Sequence, residues 1–82
     1  MHKLFGEHLL EERKKLGITV LMIAKECGVS RTYVTLIENG SRLPGKKILQ
    51  KISSVLNIPT VDVLNWYLED ISYTIRKSLK KS

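Results

Sequence analysis

The eighteen residues from Ile23 to Gly40, IAKECGVSRTYVTLIENG, constrain this chain more than any other stretch. Two short helical patterns flank Cys27-Gly28-Val29-Ser30, a connection too tight to fold one helix back antiparallel along the other. The two helices must therefore meet at a steep angle. The second then gives one face to its partner and the other to solvent, and that outer face determines what the chain can do.

The rest of the chain is punctuated in the same way. Gly17, Gly28, Gly40, Pro44-Gly45 and Asn57 to Pro59 separate segments whose apolar residues recur at helical spacing. A first helix over about 3–15 puts Phe5, Leu9, Leu16 and Ile18 on its buried side, with Leu10 beside them. Arg13, Lys14 and Lys15 suit its C-terminal turn. A second, about 19–27, starts at Thr19 as N-cap and buries Ile23, Ala24 and Cys27. A third, about 30–38, takes Ser30 as N-cap and ends at Asn39-Gly40. A fourth, about 44–56, turns Ile48, Leu49, Ile52, Val55 and Leu56 inward, with Pro44 in its first turn. A fifth begins near Thr60 and runs past residue 70. The expectation is an all-α fold of five helices without a strand.

Eighty-two residues make one domain near the lower limit for a self-sufficient core, a limit that a partner subunit relieves. Fourteen Lys and Arg against eight Asp and Glu give a net charge of +6, which favours a polyanion or an anionic membrane surface as partner. There is no apolar run of membrane-spanning length and no signal-peptide core, and the single cysteine, Cys27, suits a reducing compartment. The cytoplasm is the expected location. His2 and His8 have no metal-spaced cysteine or carboxylate set, Cys27 sits at a core position, and no nucleophile–base pair or glycine-rich phosphate loop occurs. Neither a metal, a cofactor nor an enzymatic activity is expected.

Residues 20–39 resemble the helix-turn-helix of the lambda repressor/Cro class, the Xre-type domain. With Val20 as the first motif position, Ala24 is fifth, Gly28 ninth, Val34 fifteenth and Ile37 eighteenth. Ala24 allows close helix approach, Gly28 permits the turn, and Val34 and Ile37 fill the wedge between the helices. The resemblance covers roughly residues 4–68 and implies a compact five-helix lambda-repressor-like domain with an extended C-terminal helix. It also implies binding to a double-stranded DNA operator, the second motif helix entering the major groove while the first crosses the backbone.

On that reading Arg31, Thr32, Thr35 and Leu36 are the expected base contacts. Arg31 can bridge guanine O6 and N7, and the other three can hold a thymine methyl. Leu36 is expected to be exposed. Thr19, Ser30, Tyr33, Asn39, Arg42, Lys46 and Lys47 are expected on the phosphates, although Tyr33 can equally pack its ring over the fourth helix. Arg13 and Glu38 match the Arg and Glu that pair across the fold in small phage repressors. The sequence departs from the family at Val20, where glutamine is usual and touches phosphate. Leu21 or Met22, next to it, is expected to be exposed, as a second protein surface or as loose packing.

The chain's end completes the sequence reading. Leu64, Leu68, Ile71 and Ile75 follow a 4-3-4 spacing, the seam of a packed helix pair, with Tyr67 beside it. These residues are the expected homodimer interface. Four of the net six positive charges fall within residues 71–82, at Arg76, Lys77, Lys80 and Lys81. Residues 1–70 are read as the DNA-binding domain and 71–82 as a basic helical extension or tail, without membrane contact. The function implied is a homodimeric repressor of a phage, plasmid or other mobile element. The alternatives are a restriction-modification controller, or an antitoxin that binds DNA and a toxin. An anti-repressor or a toxin is the protein partner these readings allow.

Overall fold

The computed structural model describes residues 4–80 as five helices: α1 (Phe5–Lys15), α2 (Val20–Cys27), α3 (Arg31–Glu38), α4 (Lys46–Leu56) and α5 (Thr60–Lys80). His2, read above for metal binding, and Lys81, counted in the basic end, lie outside the described residues. No described helix is long and apolar enough to cross a membrane.

Local chemistry sets most of the helix ends. The Thr19 hydroxyl accepts the Met22 N–H at 3.1 Å, and the Ser30 hydroxyl accepts the Tyr33 N–H at 3.0 Å. Each satisfies one of the amides that a helix start leaves unpaired. Gly28, at φ +68°, ends α2 in a left-handed conformation that costs a residue with a Cβ more. Asn57 does the same for α4 at φ 54°. Leu4 has no side-chain acceptor to cap α1, so the Glu7 carboxylate takes the Leu4 N–H at 3.3 Å. The Asp70 carboxylate of α5 takes the Phe5 N–H at 2.9 Å across 65 residues of sequence.

Packing follows from these elements. α1 lies against α3 and α5, α2 against α3 and α4, and α4 against α5. Their shared core consists of Phe5, Leu9, Ile23, Ala24, Cys27, Val34, Ile37, Leu49, Ile52, Leu56 and Val63. Phe5 meets Trp66 and Tyr67 edge-on at centroid distances of 6.2 and 6.4 Å, and Trp66 stacks flat on His8 at 4.7 Å. At the α4–α5 corner the buried Ser53 hydroxyl donates to the Ile58 carbonyl at 2.6 Å and lies 3.0 Å from the Thr60 hydroxyl. From Ser72 to Leu79 every residue is exposed, so the last turns of α5 extend past the body of the fold.

Three sequence expectations are corrected. Leu16 is 53% exposed, because α1 ends at Lys15 and the chain turns away at Leu16 itself. Pro44 is not in the first turn of α4, which starts at Lys46 after Gly45. Its ring is instead fully buried ahead of the helix. Leu36 is half-buried, and it shares a depression with Val20 of α2.

Candidate nucleic-acid interface

The α2–α3 pair is fixed from behind. Val34 and Ile37 are each 1% exposed, so the inner face of α3 is fully committed to the core. Gly6 of α1 lies hard against the end of α3. A Cβ there would lie 2.1 Å from the Ile37 carbonyl oxygen and 2.6 Å from that of Glu38, so only hydrogen fits between α1 and the end of α3.

An ion pair locks the same junction. The Arg13 guanidinium donates from Nε to Glu38 Oε2 at 2.6 Å and from Nη2 to Oε1 at 3.0 Å, while Nη1 reaches the Ile18 carbonyl at 3.3 Å. Only 14% of the Arg13 side chain and 10% of the Glu38 side chain face solvent. The hydrogen bond to Glu38 holds the Arg13 pKa above the usual guanidinium value, against the desolvation that would lower it. Glu38 sits in the last turn of α3, where a carboxylate opposes the negative end of the helix dipole. Arg13 offsets that cost.

With α3 held in place, its outer face is displayed. Arg31, Thr32 and Thr35 are exposed, and with Val20 and Leu36 they line one shallow depression between α2 and α3. Arg31 has no ion-pair partner among the described residues. The only carboxylate on α3 is Glu38, and it faces Arg13. Ser30 and Asn39 cap the two ends of α3. The Asn39 side-chain oxygen accepts the Ser41 N–H at 2.9 Å and shapes the turn that follows.

Beyond that turn lies a positive edge. The Arg42 guanidinium stands 5.1 Å from the Tyr33 ring centroid, so the half-buried ring holds that charge beside the end of α3. Lys46 and Lys47 are exposed in the first turn of α4, which contains no acidic residue. Two cations at the positive end of a helix are unfavourable unless an anion arrives there. A phosphate would meet Lys46, Lys47 and the helix amides together.

The expected dimer residues divide. Leu68 and Ile75 are 50% and 54% exposed and Leu64 is also exposed, but Ile71 is half-buried and Tyr67 packs on the core of its own chain. Leu21 and Met22 are both exposed. Cys27 is buried, and desolvation raises its thiol pKa, which suits an inert core residue.

Sequence reasoning missed two residues that hold the site. Asp70 is buried and ties α5 to the start of α1, and its signal was present: Val63, Trp66, Tyr67 and Asp70 recur at i, i+3, i+4 and i+7. Gly6 had no such signal, because a glycine inside a helix does not reveal what presses against it.

Residues 9–63 match the family model described as Helix-turn-helix. The chain is 38% identical over 56 residues to the ImmF control region 10 kDa protein of Bacillus phage phi105, covering 68% of this chain and 62% of that protein. It spans about three fifths of the length of the first curated relatives it matches. Two solved structures are similar. One is the master regulator for biofilm formation SinR in complex with DNA, with a TM-score of 0.67 and 27% identity over 74% of this chain and 98% of that one. The other is the restriction-modification controller protein C.AhdI from Aeromonas hydrophila, with a TM-score of 0.67 and 29% identity over 72% of this chain and 89% of that one.

Proposed function

Since the chain belongs to the Xre/lambda repressor-like helix-turn-helix family of DNA-binding transcriptional regulators, we propose that it is a homodimeric repressor from a phage, plasmid or other mobile element. One observation carries the reading. α3 buries Val34 and Ile37 at 1% exposure and turns outward Arg31, Thr32 and Thr35, a face without a carboxylate. In the major groove Arg31 reads guanine, and Thr32, Thr35 and Leu36 touch neighbouring bases. Thr19, Ser30, Tyr33, Asn39, Arg42, Lys46 and Lys47 hold the phosphates on either side, and the Arg13–Glu38 pair keeps α3 in register.

Two copies associate through the exposed residues of α5, Leu64, Leu68 and Ile75, with Ile71 at the seam and Tyr67 behind it. Their recognition helices then meet half-sites about 34 Å apart. Residues 1–70 bind DNA, and the basic extension 71–82 follows them. Repression results when the bound dimer blocks polymerase at an overlapping promoter. The phage control-region relative supports a mobile-element origin.

The likeness to C.AhdI favours a second reading, a restriction-modification controller. The exposed Leu21 and Met22 favour a third, an antitoxin whose α2 flank meets a protein partner. Neighbouring genes separate the three: phage or plasmid functions, a methyltransferase with an endonuclease, or a small toxin. The DNA reading is tested by footprinting on the chain's own upstream DNA, with affinity followed against salt. A two-fold footprint and a loss of roughly a thousandfold between 50 and 200 mM salt are expected if about six phosphates are neutralised. Affinity that ignores salt overturns it.

A further inference from the structure

The depression between α2 and α3 is lined by Val20, Arg31, Thr32, Thr35 and Leu36. Apart from the Arg31 guanidinium at its rim, the side chains around it end largely in methyl groups, two each from Val20 and Leu36 and one from each threonine. Val20 and Leu36 are half-buried, and Val20 packs against the core, so this wall is fixed in place. Val20 has no donor and cannot reach a phosphate as the glutamine usual at this position does. Its contribution to the reading face is apolar.

We propose that this depression is a receptor for the 5-methyl group of a pyrimidine, supplied in unmodified DNA by thymine, in the base pair next to the guanine read by Arg31. The inference rests on the DNA-binding reading and adds a named specificity subsite with Val20 as its determinant. The thymine methyl is the one apolar group on the major-groove edges of the four base pairs, so an apolar hollow on the reading face has one natural occupant there. The guanidinium supplies the neighbouring base preference, because it needs guanine O6 and N7 within reach of the same rim. A 5-methylcytosine presents the same methyl at the same place and fits equally well.

The test uses the full chain and a duplex selected from random sequence. Each thymine in that duplex is replaced singly by deoxyuridine, which removes the methyl and nothing else. One thymine per half-site, adjacent to the guanine whose identity ceases to matter in Arg31→Ala, should lose about fourfold in affinity, the factor expected for withdrawing one buried methyl. At the same position 5-methylcytosine should bind about fourfold tighter than cytosine. Val20→Gln should abolish both differences. Thr35→Ser, at an exposed position, removes one rim methyl without disturbing the fold and should shrink them. If a duplex is selected and every thymine-to-uracil change is neutral, or the sensitive thymine lies away from the Arg31 guanine, the subsite is wrong while DNA binding stands. If no duplex is preferred over random DNA, both readings fall.

Discussion

Replacing Glu38 by glutamine removes one charge and changes little else in shape. In the native protein Glu38 accepts from Arg13 at 2.6 and 3.0 Å, and the two side chains are only 14% and 10% exposed. Glutamine keeps one acceptor oxygen, but its amide then faces a guanidinium N–H, donor against donor, and Arg13 loses its counter-charge. Exposed ion pairs contribute about 0–1 kcal/mol, while removing one partner of a buried pair costs about 3–5 kcal/mol. This pair is mostly but not wholly buried, so a loss of about 2–3 kcal/mol is expected. In a domain of this size each kcal/mol moves Tm by about 4–8 °C, so Tm should fall by roughly 10–20 °C.

The sign of the pH dependence follows from the raised Arg13 pKa. Stability from a raised pKa is fully present below the unfolded value and is lost only as pH rises through the folded one. The contribution of Arg13 should therefore not fall as pH rises from neutral toward the guanidinium range, as long as Glu38 carries its charge. Changing Arg13 to Met and Glu38 to Leu together should recover much of the loss, since neither charge is then stranded. The measurement is thermal and denaturant unfolding followed by helical circular dichroism. Wild-type melting in Glu38→Gln, or a double variant no better than the single one, would mean that the Arg13–Glu38 pair does not stabilise the fold.

Four further outcomes are expected. Gly6→Ala places a Cβ 2.1 Å from the Ile37 carbonyl oxygen and should cost about 3 kcal/mol or more, whereas Gly45→Ala, with nothing within 4 Å, should change unfolding little. Arg42→Ala and Lys46→Ala should weaken binding to all duplexes alike and flatten the salt slope, each by roughly one phosphate contact, as read by gel shift or anisotropy. Leu68→Glu with Ile75→Glu, both half-exposed positions, should leave helicity intact, give a monomer by light scattering and abolish cooperative operator binding; a variant that stays dimeric moves the interface to Leu21 and Met22. Cys27 should react with a thiol reagent only as fast as the protein unfolds, because the thiol is buried out of the reagent's reach and desolvation raises its pKa.

The five helices and the turn at Gly28 were legible in the order of residues alone. Caps, apolar period and turn residues act over a few neighbours and leave their mark in the local order of residues. Thr19, Ser30, Gly28 and Asn57 each do their work within four positions of their own place in the chain. The family and the outer face of α3 were legible for the same reason, since once Val34 and Ile37 are inward, Arg31, Thr32 and Thr35 must be outward. The tertiary structure decided what depends on residues far apart. Only the docking of α5 on α1 puts the Asp70 carboxylate on the Phe5 amide, and only the approach of α1 to α3 makes Gly6 irreplaceable. Likewise, helical period alone cannot say that Leu16 points out, that Pro44 is buried ahead of its helix, or that Leu36 shares a hollow with Val20. Period assigns a residue to a face, but the neighbouring helix that covers that face is set by packing through the whole chain.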